Sequence, residues 1–204
     1  MSRHGDREIE IKLRLQSVAQ GEALLASAGF EVSEPRVFEA NTLFDTPLKK
    51  LRKAGKLLRV RQVEARAILT YKGPARVSKH KDRQELELTI ADPGTMSAIL
   101  EQMGYRPTFR YEKFRTEYRM SGSGGTATLD ETPAGVFLEL EGEPAWIDEV
   151  AGKLGFTEPD YITASYIQLY VNHCKRQGIV PADMVFNQTG SKSQPNPGSS
   201  EGRV

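Results

Sequence analysis

The chain has 204 residues, 28 Lys+Arg against 27 Asp+Glu, one cysteine and 38% hydrophobic residues. This length suggests one domain, at most two small ones. The single thiol, Cys174, excludes a disulfide framework and a cysteine-rich zinc module, and the near-zero net charge argues against a nucleic-acid polymer as partner. No apolar run is long enough for a membrane helix, and the N-terminus carries no signal-peptide stretch. A soluble, cytoplasmic protein with no membrane partner is expected.

In chain order, the dominant period is two, the signature of strands with distinct faces. Glu8–Leu15 alternates without a fault. Ser17 is an N-cap for a helix over Val18–Ala28, stopped by Gly29. Strands follow at Arg36–Phe44, Leu57–Gln62, Ala67–Lys72 and Arg83–Ile90. Asp92-Pro93 opens a helix ending at Gly104, with Pro93 at its first position. Phe109–Met120, Thr126–Asp130 and Val136–Glu141 are the last strands, with Gly122–Gly125 and Thr132–Gly135 as hairpin turns. Helices at Trp146–Leu154 and Thr163–Lys175 complete the pattern. This is an α+β fold with a barrel or curved sheet at its centre. Residues 1–180 form one domain, and 181–204 form an extension expected to be disordered. Its end, from Asn187, is rich in Gln, Ser, Gly, Pro and Asn. Removing its two basic residues and one acidic residue leaves 26 of each sign in positions 1–186.

The sign pattern within the strands is unusual. Glu8/Glu10, Arg59/Arg61, Glu85/Glu87, Lys113/Arg115 and Glu139/Glu141 are like-charge i,i+2 pairs, each on one face and roughly 7 Å apart. Two explanations compete. The pairs cancel across an exposed face, or they line a cavity where carboxylates hold a divalent metal and basic pairs hold a polyanion. Period alone does not say which face is inside.

Other residues carry weaker signals. His4, His80 and His173 have no metal-ligand spacing. His80 lies in a basic stretch, Arg76–Arg83, read as a solvated loop or a substrate-facing rim. Cys174 and Trp146 read as packing residues, and Ser165 as a cap or hydrogen-bonding residue of the last helix. The Gly122–Gly125 run lacks the Lys-Ser/Thr of a phosphate loop.

Eight ordered motifs then resemble one family. Glu8-Ile9-Glu10-Ile11-Lys12 is similar to the Glu-x-Glu-x-Lys signature of the CYTH superfamily, the triphosphate tunnel metalloenzymes. Phe44-Asp45-Thr46, Leu58-Arg59-Val60-Arg61, Lys72-Gly73-Pro74, Arg83–Glu87, Glu112-Lys113-Phe114-Arg115, Phe137–Glu141 and Ser165-Tyr166 continue the resemblance in order. It implies an eight-stranded antiparallel β-barrel, a tunnel with charged residues inside and helices packed outside. Glu8, Glu10, Glu139 and Glu141 would bind Mg²⁺ or Mn²⁺, and Asp130, which shares a strand face with Thr126 and Thr128, would join the acidic wall. Lys12, Arg14, Arg59, Arg61, Lys72, Lys113 and Arg115 would clamp the triphosphate. Glu85 and Glu87 would contact a second metal or orient basic side chains, so that Glu8, Glu10, Lys12, Glu85 and Glu87 form the catalytic set. Tyr166 would sit at the mouth on a lid-like helix.

Met103–Pro107 and Tyr71–Pro74 further resemble the class IV adenylyl cyclase branch. The implied reaction is ATP to cyclic AMP and pyrophosphate. Alternatives are an inorganic or thiamine triphosphatase-like hydrolase and a non-catalytic polyphosphate or nucleotide binder. The partner is a small-molecule triphosphate (ATP, tripolyphosphate or thiamine triphosphate), with a homodimer as a possible assembly.

Overall fold

The computed structural model describes residues 7–122 and 124–186. The strands are β1 (Arg7–Leu15), β2 (Glu31–Asp45), β3 (Leu57–Val63), β4 (Arg66–Lys72), β5 (Arg76–Val77), β6 (Lys81–Ile90), β7 (Arg106–Arg119), β8 (Thr126–Thr132) and β9 (Gly135–Glu141). The α-helices are α1 (Val18–Ser27), α2 (Lys50–Lys53), α3 (Pro93–Gln102), α4 (Pro144–Lys153) and α5 (Tyr166–Gln177), with a 3₁₀ turn at Glu158–Asp160. The order β1-β9-β8-β7-β2-β3-β4-β6 closes on itself because β6 also pairs with β1. The result is an antiparallel barrel of eight strands, with β5 a short addition on β6. No helix among the described residues is long and apolar enough to cross a membrane.

Most of the apolar core lies outside the barrel wall. Ile11, Leu13, Leu129, Leu138 and Leu140 pack under α1 and α4, against Leu25, Ile147 and Val150. Gly21 brings α1 onto the sheet: a β-carbon there would meet Leu129 at 2.6 Å and Leu15 at 2.7 Å. Gly125 likewise leaves room for the Trp146 ring, which a β-carbon would meet at 2.4 Å. A second cluster, Val60, Ala67, Ile90 and Leu100, sits under α3. A third, Leu43, Tyr111, Phe137, Tyr166, Leu169 and Met184, joins α5 to the barrel. Burying apolar area at roughly 25 cal/mol per Å² thus stabilises the shell, which leaves the barrel centre for polar groups.

Several element bounds differ from expectation for local reasons. β2 starts five residues earlier than the alternation indicates, and its pairing with β7 shifts register on either side of Glu34. Pro35 lies in that stretch and has no N–H to donate, which suits an irregular segment paired on one side. α5 begins only at Tyr166, because Ser165 caps it and shares a capping box with Gln168. Cys174 is buried in α5, as its packing role requires. Residues 181–186 are a correction to the expected disordered extension. Met184 is fully buried and exchanges backbone hydrogen bonds with Arg110 and Glu112 on β7. Residues 187–204 lie outside the described residues.

Candidate active site

The strand registers bring the like-charge pairs face to face inside the barrel. Directly opposite one another are Glu8 and Arg83, Glu10 and Lys81, Lys12 and Glu139, and Lys72 and Glu85. On the other side Glu39 faces Lys113, Asn41 faces both Arg61 and Tyr111, and Arg115 faces Asp130. Cross-strand pairs of opposite charge stabilise a sheet, and here they stabilise its inner face. These side chains surround a cavity of about 500 Å³ lined by Glu8, Glu10, Lys12, Arg59, Arg61, Lys72, Lys113, Arg115, Glu139 and Glu141, among others. The period-two reading left the inside face open. The structure puts the charges inside.

The acidic side is built on β1, β9 and β6. Both Glu8 oxygens accept from Lys72 Nζ at 2.7 Å, and Oε2 also accepts from Arg83 Nε at 3.0 Å. Burial alone would raise the Glu8 pKa, but Lys72 and Arg83 hold it well below the usual carboxylate range. Glu10 Oε1 accepts from Lys81 at 2.6 Å and Lys12 at 3.1 Å. Lys12 also lies 2.9 Å from Glu139; burial alone would lower its pKa, but these two carboxylates raise it and keep it charged. Glu85 and Glu141 differ from the rest. Desolvation, only partly offset by Lys72 and reinforced by Glu8, pushes Glu85 up to about 8. Desolvation and the nearby Glu8 push Glu141 up to about 7. Glu85 and Glu141 are the carboxylates of this side whose ionised form the nearby cations do not fully support.

The basic side is built on β3 and β7. Arg59 reaches Tyr111 at 3.1 Å, Thr70 at 3.1 Å and Glu87 at 3.3 Å. Arg61 donates to Glu87 at 2.8 Å. Lys113 and Arg115 both grip Asp130, at 3.0 and 2.6 Å, and Arg115 also contacts Glu139. Tyr166 at the start of α5 donates its hydroxyl to Asp130 at 2.6 Å. Burial and the Asp130 charge raise its pKa far above that of a free phenol.

Three expected residues sit differently from their expected roles. Asp130 is fully buried behind Lys113, Arg115 and Tyr166, outside the cavity lining, so it braces these side chains rather than facing the cavity. Arg14 is exposed. Its guanidinium lies 4.6 Å from the Phe137 ring centroid and 3.4 Å from the Ala134 carbonyl, and it does not line the cavity. Tyr166 lies in the wall, 8% exposed, rather than on a free lid. The stretch read as a solvated loop is also corrected. His80 is buried and its Nε2 lies 2.9 Å from Asp148 Oδ1 on α4, while Lys81 and Arg83 line the cavity. Lys81 and Arg83 share strand parity with Glu85 and Glu87, a signal that could have found them. Glu39 was missed because it is a lone charge between Phe38 and Ala40. Asp45 of the aromatic-Asp-Thr motif accepts N–H bonds from Thr46, Leu51 and Arg52, so it caps α2.

Residues 6–166 match the CYTH domain. The chain belongs to the CYTH domain family. Its relatives include a Methanocaldococcus jannaschii protein named "putative adenylate cyclase", 26% identical over 173 residues, covering 79% of this chain and 97% of the relative. A "putative adenylate cyclase" structure from Vibrio parahaemolyticus superposes with a TM-score of 0.70 at 21% identity, covering 81% of this chain and 98% of that one. A Hippeastrum protein described as a "putative adenylyl cyclase" with a dominant triphosphatase activity superposes with a TM-score of 0.60 at 23% identity, covering 85% and 97%. At these identities the two structures show the shared CYTH fold.

A divalent cation is implied by the family, and the donor set fits one. Glu10 and Glu141 are direct cross-strand neighbours and Glu8 is next on the same face. Hard carboxylate oxygens suit Mg²⁺ or Mn²⁺. Among the described residues no three acidic, His or Cys side chains already converge as a preformed cage. The carboxylates are held instead by lysines and arginines.

Proposed function

We propose that this chain is a divalent-metal-dependent enzyme that breaks a phosphorus–oxygen bond of a triphosphate drawn into the tunnel, with hydrolysis of the terminal phosphate as the reaction the wall supports best. One observation carries this reading: the lining is charged around its circumference, acidic on one side and basic on the other. A triphosphate brings about four negative charges, which a basic wall and one divalent ion together can balance. Glu8, Glu10, Glu139 and Glu141 would hold Mg²⁺ or Mn²⁺, which neutralises phosphate oxygens and activates water. Lys12, Lys72 and Lys113 would meet phosphate oxygens as point charges, and Arg59, Arg61 and Arg115 as forks. Glu85 and Glu87 would orient this set through Lys72 at 2.8 Å and Arg61 at 2.8 Å. The buried walls would exclude bulk water and strengthen each contact.

Cyclisation of ATP is a second reading with specific support. Leu43, Leu57 and Ile167 give the lining an apolar portion where a nucleoside would fit, and the named relatives carry a cyclase designation. One assay separates the readings. Purified protein with Mg²⁺ or Mn²⁺ is given ATP, tripolyphosphate or thiamine triphosphate, and products are separated chromatographically. Phosphate from tripolyphosphate or thiamine triphosphate is the expected result. Cyclic AMP from ATP would decide for the cyclase, and tight binding without turnover for a binding protein.

A further inference from the structure

Glu39 on β2 is a buried carboxylate standing among the cations of the basic wall. It is 3% exposed and absent from the cavity lining, so it stands behind that wall. Its Oε1 lies 3.4 Å from Arg61 and its Oε2 lies 3.5 Å from Lys113. Burial alone would raise its pKa, but Lys113, Arg115, Arg61 and Arg59 together hold it far below the usual carboxylate range, so it is ionised. The contacts are loose. Oε2 makes no hydrogen bond, whereas Asp130 grips Lys113 and Arg115 at 3.0 and 2.6 Å. Arg61 and Lys113 come from opposite neighbours of β2, and Glu39 is the charge they share.

We propose that Glu39 is a positioning residue and an internal counter-anion of the triphosphate clamp: it aims Arg61 and Lys113 at the lumen and subtracts one charge from the field the phosphate chain meets. Its long contacts leave both cations able to turn to a ligand. Its charge repels the same ligand from behind and lowers the affinity for anionic product, so product leaves. A carboxylate that merely held the wall together would, when removed, weaken anion binding. A counter-anion, when removed, strengthens it.

The inference rests on the triphosphate reading, and its test uses Glu39→Gln, which keeps the shape and an acceptor for Arg61 but removes the charge. Calorimetric titration with tripolyphosphate in low salt should give about tenfold tighter binding than the unsubstituted chain, since one charge at a few ångströms acts at this scale. KM and kcat should fall together as product release slows. Glu39→Asp, which keeps the charge, should bind like the unsubstituted chain. Unchanged or weaker binding by folded Glu39→Gln protein would overturn the proposal, as would weaker binding by Glu39→Asp if the Gln variant does not fold. A ligand-free arm separates this inference from the triphosphate reading. If the unsubstituted chain binds no tripolyphosphate, the triphosphate reading fails. Glu39→Gln should still melt lower at low salt and recover in sodium sulfate, and no sulfate-dependent recovery overturns the counter-anion role itself.

Discussion

The two sides of the tunnel wall use the same residue types in opposite surplus. On β1, β9 and β6 the carboxylates crowd, and Glu85 and Glu141 are pushed up to about 8 and about 7. On β2, β3 and β7 the cations crowd, and two carboxylates that pair with them, Glu39 on β2 and Asp130 on neighbouring β8, stand behind them outside the lining. A surplus of negative charge calls for a cation and a surplus of positive charge for an anion. Under the proposed function, the arrangement of charge within one barrel, rather than net charge, would place the metal on one side and the phosphate chain on the other.

The largest expected effect comes from emptying the acidic side. Glu8→Gln or Glu10→Gln should lower metal-dependent turnover by about a hundredfold or more, because a bound divalent ion contributes several kcal/mol to such a transition state. Full activity in either variant, measured by product release at saturating Mn²⁺, would remove the metal from this side. Next comes the brace of the basic side. Asp130→Ala leaves Lys113, Arg115 and the Tyr166 hydroxyl without their shared partner and should cost roughly 3–5 kcal/mol, read by urea unfolding. A loss near zero would show that the pairing is idle.

The surplus also predicts a pH dependence. Glu85 and Glu141 have raised pKa values in the fold, so between about pH 4.5 and 8 the native state holds protons that the unfolded chain has given up. Ligand-free stability should therefore fall as pH rises through that window. Glu8, Glu10, Glu39 and Glu139 are shifted the other way, so stability should fall again as pH drops through and below about 4.5. Thermal unfolding across pH 3–9 checks both arms, and Mn²⁺ should flatten the upper one by taking the place of the protons. The smallest effect is expected at Arg14→Ala. It should cost less than about 1 kcal/mol, the scale of an exposed cation–π contact, with tripolyphosphate affinity unchanged. A large loss of affinity would bring Arg14 into the clamp.

Much of this site was legible in the sequence. Alternation located the strands, and the like-charge pairs marked the face that lines the cavity. Only the resemblance to the CYTH family turned that face inward, because a period of two is the same whichever side is wet. Strand parity correctly grouped Asp130 with Thr126 and Thr128. That a carboxylate is already occupied by Lys113, Arg115 and Tyr166 is a fact of three strands and a helix meeting. Arg14 has the right parity too, but it lies beside the Phe137 ring, off the cavity. Lys81 was hidden by the basic run around His80, which looks like a loop until His80 and Lys79 are seen tied to Asp148 on α4, and Arg83 was read as strand but given no role of its own. Glu39 carries no local signal, since its meaning comes from the neighbours that β2 acquires on both edges.

The two-sided wall is tested most directly by thermal unfolding in four arms: buffer, Mn²⁺, tripolyphosphate, and both together. A ligand at a hundred times its dissociation constant stabilises by about 2.7 kcal/mol. The account predicts a clear rise with both ligands that exceeds the sum of the two separate rises, because each neutralises the field that opposes the other. An unchanged melting curve in the combined arm would contradict it.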